Sequence, residues 1–208
     1  LATHVLRPFQ RFFPDMLWRV DAAAPTAYLT FDDGPTAECT RDLLDILSEY
    51  DAQATHFLVG HHAEQHPDLV RALVNEGHRV GNPTYSHPDP WTTPQEELAD
   101  ELERTTHILH DLTGAPLRAL RPPYGHPTAF LRQWCATQNQ RMVMWDVMPG
   151  DYLQTATAER VSSFVINHVR PGSVIVLHDN PICKDVTPQA LDTILDTLTG
   201  QGWQFDAL

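Results

Sequence analysis

Thr30-Phe31-Asp32-Asp33-Gly34-Pro35 is the stretch on which the reading of this chain turns. It completes the run Ala27–Phe31, whose apolar character suits a strand buried on both faces, and it sets two carboxylates at the strand's exit. Like charges in a desolvated cleft repel, so such a pair is costly unless a cation sits beside it. Adjacent side chains diverge, which lets one carboxylate bind an ion while its neighbour faces a substrate. Gly34-Pro35 supplies the turn. Taken alone, Asp-Asp-Gly-Pro is more often a solvated turn, and the remaining motifs decide against that.

Working outward, short β-rich runs alternate with amphipathic stretches. The strand candidates are Ala27–Phe31, Thr55–Val59, His78–Gly81, Arg118–Arg121, Met142–Val147, Ser173–Leu177 and Trp203–Phe205. Between them, Leu43, Leu44, Leu47 and Tyr50 recur at helical spacing, and Pro67 opens a helix that Gly77 closes. Thr93-Pro94-Gln95-Glu96 reads as a capping box, with Gly114 ending its helix, and Thr187-Pro188 and Gly200 punctuate the last one. An alternating βαβα order implies parallel strands with right-handed crossovers. Periodicity alone fits a small barrel or an open doubly wound sheet. In both, chemistry collects where strand ends meet the following loops.

Polar clusters stand at those exits. After the third strand comes Gly81-Asn82-Pro83-Thr84-Tyr85-Ser86-His87-Pro88, and after the fourth Arg121-Pro122-Pro123-Tyr124-Gly125. The fifth carries Trp145-Asp146-Val147-Met148-Pro149-Gly150-Asp151-Tyr152, and the sixth Leu177-His178-Asp179. In this order they resemble the polysaccharide deacetylase family, also called the NodB homology domain or carbohydrate esterase family four, from about Tyr28 to the C-terminus. The resemblance implies an irregular seven-stranded (β/α) barrel, one α/β domain over 27–208, and the amphipathic stretch before it makes residues 1–26 an arm expected to pack on the barrel. It implies hydrolysis of N-acetyl groups from a carbohydrate, aided by a divalent, zinc-like cation that activates water and polarises the amide. Asp33 and His87 would be metal ligands, Asp32 the general base, and Arg121 its ion-pair partner. The Tyr124 backbone N–H would stabilise the oxyanion, and His178 would protonate the departing amine. Trp145, Tyr152 and Trp91 are candidates for sugar stacking, though each also suits ordinary packing.

Two departures from the family matter. Its second motif usually carries two histidines four residues apart, and here Pro83 replaces the first. Two protein ligands remain where catalytic zinc sites use three. Met148 stands where an acid often supports the catalytic histidine, so Asp146 or Asp151 would have to substitute. Val176 replaces a common leucine. His61, His62 and His126 lie at strand exits where a replacement ligand could come from, although exposed loop histidines are the commoner case. An impaired relative that binds glycan or a partner without turnover, or a hydrolase of another C–N bond, therefore stands beside the deacetylase reading.

Composition narrows the partners. The net charge of −13, with Lys184 as the single lysine, leaves no basic stripe for nucleic acid and favours a neutral or amine-bearing substrate. No apolar run approaches the length of a membrane span, and no signal-peptide pattern precedes Tyr28, which leaves the compartment open. Cys39, Cys135 and Cys183 fit neither a disulfide framework nor a zinc knuckle and read as small buried hydrophobes. Phe9, Phe12, Phe13, Leu17 and Trp18 give the arm its packing face.

Overall fold

The computed structural model describes residues 13–208. Seven strands are β1 Thr26–Asp32, β2 Ala54–Phe57, β3 Arg79–Gly81, β4 Ala119–Leu120, β5 Arg141–Met142, β6 Val174–His178 and β7 Gln204–Phe205. The helices are α1 Thr40–Glu49, α2 Gly60–Gln65, α3 Pro67–Asn75, α4 Gln95–Thr113, α5 Ala129–Thr137, α6 Ala158–His168 and α7 Thr187–Gly200. All seven strand predictions fall on strands, and every strand pairing is parallel.

The strands curl into an irregular barrel. Hydrogen-bonded neighbours run β3-β2-β1-β6, β4 pairs with β5, and β7 joins the start of β1. Single-residue bridges, Asn82 with Leu120 and Val147 with Ile175, link β3 to β4 and the chain after β5 to β6. The register puts Asp32 directly beside His178 on the neighbouring strand. Two residues far apart in sequence thus emerge together at the mouth.

Alternation along each strand sorts the core. On β1 and β6, Leu29, Phe31, Ile175 and Leu177 pack with Leu43 and Leu47 of α1 and Leu191 and Ile194 of α7. Val174 and Val176 join Phe57, Leu120, Met142 and Met144 in a second cluster. Met16, Leu17 and Trp18 are buried against that second cluster. Leu17 pairs backbone-to-backbone with Met142 and Met144, each at 2.8 Å. Phe13 packs there half-buried, whereas Phe9 and Phe12 lie outside the described residues. Among the described residues no helix is long and apolar enough to cross a membrane.

Two local expectations are corrected. β5 stops at Met142, and beyond it, as far as Val147, the chain makes only single-residue bridges, Val143 with Leu17 of the arm and Val147 with Ile175. The capping box does not form: α4 starts from Pro94 without a side-chain cap, and the Thr93 hydroxyl donates instead to the carbonyl of Asp89. At the other end Gly114 takes the left-handed conformation, φ 66°, and caps α4 as expected. The three cysteines are free and buried.

Candidate active site

The strand exits surround a cleft of ≈ 380 Å³ lined by Asp32, Asp33, His87, Tyr124, Trp145 and His178, with Met148, Tyr152, Val176, Asn180 and Ile182 on its walls. Seven of the nine residues singled out for this chemistry therefore face one space. Arg121 lies behind Asp32, and Trp91 stands on the rim.

Asp32 ends β1 with its side chain turned into the mouth. Its Oδ1 accepts from Arg121 Nη1 at 2.6 Å. The guanidinium is buried, and its other donors go to Thr30 Oγ1 (2.8 Å), Val143 O (3.2 Å) and Met144 O (3.1 Å). It also lies over the Phe57 ring, 4.1 Å from its centroid. With so many anchors the arginine has one orientation, and it fixes Asp32 in turn.

His178 is held equally firmly. Its Nδ1 shares a 2.8 Å hydrogen bond with Asp151 Oδ1, and its backbone N–H donates to Asp151 Oδ2 at 2.7 Å. Thr187 at the start of α7 donates to the same oxygen at 2.7 Å. Burial by itself would push the imidazole down, but buried Asp151, with Asp32 and Asp33 beyond it, outweighs that and lifts its pKa to about 9. Asp151 is thus the acid that supports the histidine. Asp146 is not: it accepts from Arg170, Ser173 and the Val174 N–H, away from His178. Met148 contributes only apolar wall.

Asp33 and His87 do converge, with His87 Nε2 3.8 Å from Asp33 Oδ1. Both residues have positive φ, 75° and 58°, which turns their side chains toward the cleft. The rest of the donor set is thin. Among the described residues no group of three His, Cys, Asp or Glu could enclose a metal ion. The other oxygen of Asp33 accepts from the Asn180 side-chain amide at 2.8 Å. One carboxylate and one imidazole do not make the three-ligand set of a catalytic zinc ion. Nor do the neighbouring histidines repair it. His62 Nδ1 is engaged with the Asp33 carbonyl (2.8 Å), His61 Nδ1 with the Tyr85 carbonyl (3.0 Å) and His126 Nδ1 with Asp89 (2.8 Å), and none of them lines the cleft.

Tyr124, with φ 57°, packs edge-on against His87 at 4.8 Å between ring centroids, and Tyr152 packs the same way on His178 at 4.7 Å. Trp145 forms buried wall, its ring against Gly125, where an added Cβ would come within 2.4 Å of the indole. Sequence reasoning missed Asn180 and Thr187. Nothing in the residues around them signals a contact that depends on the β6–α7 loop folding back over the mouth.

Comparison with known proteins gives a consistent result. A family model described as polysaccharide deacetylase matches residues 19–143. A peptidoglycan-N-acetylglucosamine deacetylase of Bacillus cereus is 37% identical over 181 residues, covering 86% of this chain and 66% of that protein, so the chain spans just under two thirds of its length. The crystal structure of a peptidoglycan N-acetylglucosamine deacetylase superposes with a TM-score of 0.91 at 33% identity, covering 97% of this chain and 94% of the other. A Bacillus anthracis protein, described as a mutant of a family-four pseudoenzyme with restored enzymatic activity, superposes with a TM-score of 0.83 at 26% identity, covering 92% and 68%.

Proposed function

Because this chain belongs to the polysaccharide deacetylase family, we propose that it hydrolyses the N-acetyl amide of a glycan built from N-acetylglucosamine, of the peptidoglycan or chitin type. The observation that supports this most is the pairing of two fixed proton-transfer groups across one cleft: Asp32, oriented by Arg121, beside His178, oriented by Asp151. Amide hydrolysis needs a proton removed from water and another delivered to nitrogen, since an amide anion leaves very poorly. With its pKa near 9, His178 carries a proton at neutral pH and can give it to the departing amine. Asp32 takes the proton from the attacking water. The Tyr124 backbone N–H is assigned to the oxyanion. Met148, Val176 and Ile182 supply apolar wall on which the acetyl methyl and the sugar face can rest.

Deacetylases of this family are metal-dependent. Here Asp33 and His87 are the cation-facing pair, Pro83 has removed the third donor, and Asn180 holds one oxygen of Asp33. Those observations support a second reading, a glycan-binding relative with little or no turnover. The two separate in one experiment. Purified protein is analysed for metal, then assayed for acetate release from a chitin oligomer and a peptidoglycan fragment, with and without excess zinc or cobalt. Release that grows with added metal supports the hydrolase. Absence of release in excess metal, with oligomer binding retained, leaves the binding relative.

A further inference from the structure

We propose that the exposed face of Trp91 is a sugar-stacking platform at the rim of the cleft, which makes the chain select an oligosaccharide over a short saccharide. The inference rests on the glycan reading above and adds where the rest of the polymer lies.

Trp91 is 64% exposed, an unusual cost for an indole. It is nevertheless fixed. Its ring stacks on His126 with centroids 3.6 Å apart and planes 1° from parallel. Its Nε1 donates to the Pro127 carbonyl at 3.3 Å, and its backbone N–H to Asp89 Oδ1 at 3.0 Å. That same oxygen accepts from His126 Nδ1 at 2.8 Å. One carboxylate therefore ties both members of the stack. His126 covers one face of the indole, and the opposite face is left to solvent.

The platform is continuous with the cleft. From Trp91 the rings pass to His126, then to Tyr124 at 5.9 Å, then to His87 at 4.8 Å beside Asp33. A flat, rigid, half-supported aromatic at the end of such a row suits the apolar face of a pyranose ring, because little freedom is lost when the sugar lands. The chain's net charge of −13 disfavours anionic polymers and suits neutral or partly deacetylated ones. His126 and Asp89 are positioning residues here, and Trp91 is the contact.

The test is calorimetric titration of the chain with N-acetylated chitobiose and chitopentaose in buffer containing a chelator, so that binding is read without turnover. The parent is expected to bind chitopentaose more tightly. Trp91→Ala should lose about three- to tenfold of that affinity while chitobiose affinity and thermal midpoint stay unchanged, and Trp91→Phe should recover most of it. His126→Ala should give a smaller loss, absent in the Trp91→Ala background. An equal loss for both oligomers, or none for either, overturns the platform, as does a parent that binds both lengths equally. A parent that binds neither oligomer overturns the platform, while the glycan reading stands or falls separately on acetate release in added metal.

Discussion

At the scale of single residues, the site is defined by which oxygen faces which donor. Asp151 accepts three hydrogen bonds around His178, so Asp151→Asn removes the counter-charge of a buried imidazole. The His178 pKa should then fall well below about 9, because burial, which pushes it down, is opposed only by the charges of Asp32 and Asp33. An NMR titration of the His178 ring reads this directly, and acetate release should fall by about 10²-fold or more. The sign for stability follows. A folded pKa raised from 6.5 to about 9 gives stability that is full below about 6.5 and lost as pH climbs through 9. That contribution is on the order of 3 kcal/mol at most. Urea unfolding of the parent at pH 6 and pH 9.5 should show the loss, and the Asp151→Asn variant should not. At the neighbouring position, Pro83→His should raise zinc affinity at least ~10-fold. An unchanged affinity would mean that Pro83 does not stand at the ligand position.

The fate of individual elements shows what was legible. The positions of the strands and their exits at Asp32, Arg121 and His178 could be read because buried apolar runs and their polar ends are local properties of sequence, whereas the barrel rested on the family resemblance. The length of β5 and the missing cap on α4 could not: beyond Met142 the chain bridges to Leu17 of the arm, and the Thr93 hydroxyl turns back to the Asp89 carbonyl instead of capping the helix. Asn180 and Thr187 were likewise missed, their contacts being made by loops meeting at the mouth, whereas Asp151 was one of the two acids the sequence offered for supporting His178. The junction between arm and β6 gives a prediction at this scale. Gly172 has φ 85°, and a Cβ there would lie 1.8 Å from the Val20 carbonyl oxygen. Gly172→Ala should cost at least ~2 kcal/mol in urea unfolding. Gly114→Ala, also at positive φ but with open space around it, should cost only about 1 kcal/mol.

For the whole molecule, the charge of −13 is the dominant fact outside the cleft. Self-repulsion of that size opposes the compact state and is screened by salt. Raising the ionic strength from about 10 mM to about 150 mM shortens the screening length from ~30 Å to ~8 Å, and the thermal midpoint should rise. A midpoint that falls or stays fixed would place the stabilising ion pairs, such as Arg132 with Asp15, above the net repulsion. Six described residues other than glycine have positive φ, and four of them, Asp33, Thr84, His87 and Tyr124, stand in or beside the mouth. Left-handed backbone is disfavoured for any side chain and most of all for a β-branched one such as Thr84. The barrel wall therefore holds its own loops in a conformation they would not choose. Gentle warming should free those loops first, and catalysis or ligand capture should fade at a temperature where far-ultraviolet circular dichroism still reports an intact scaffold.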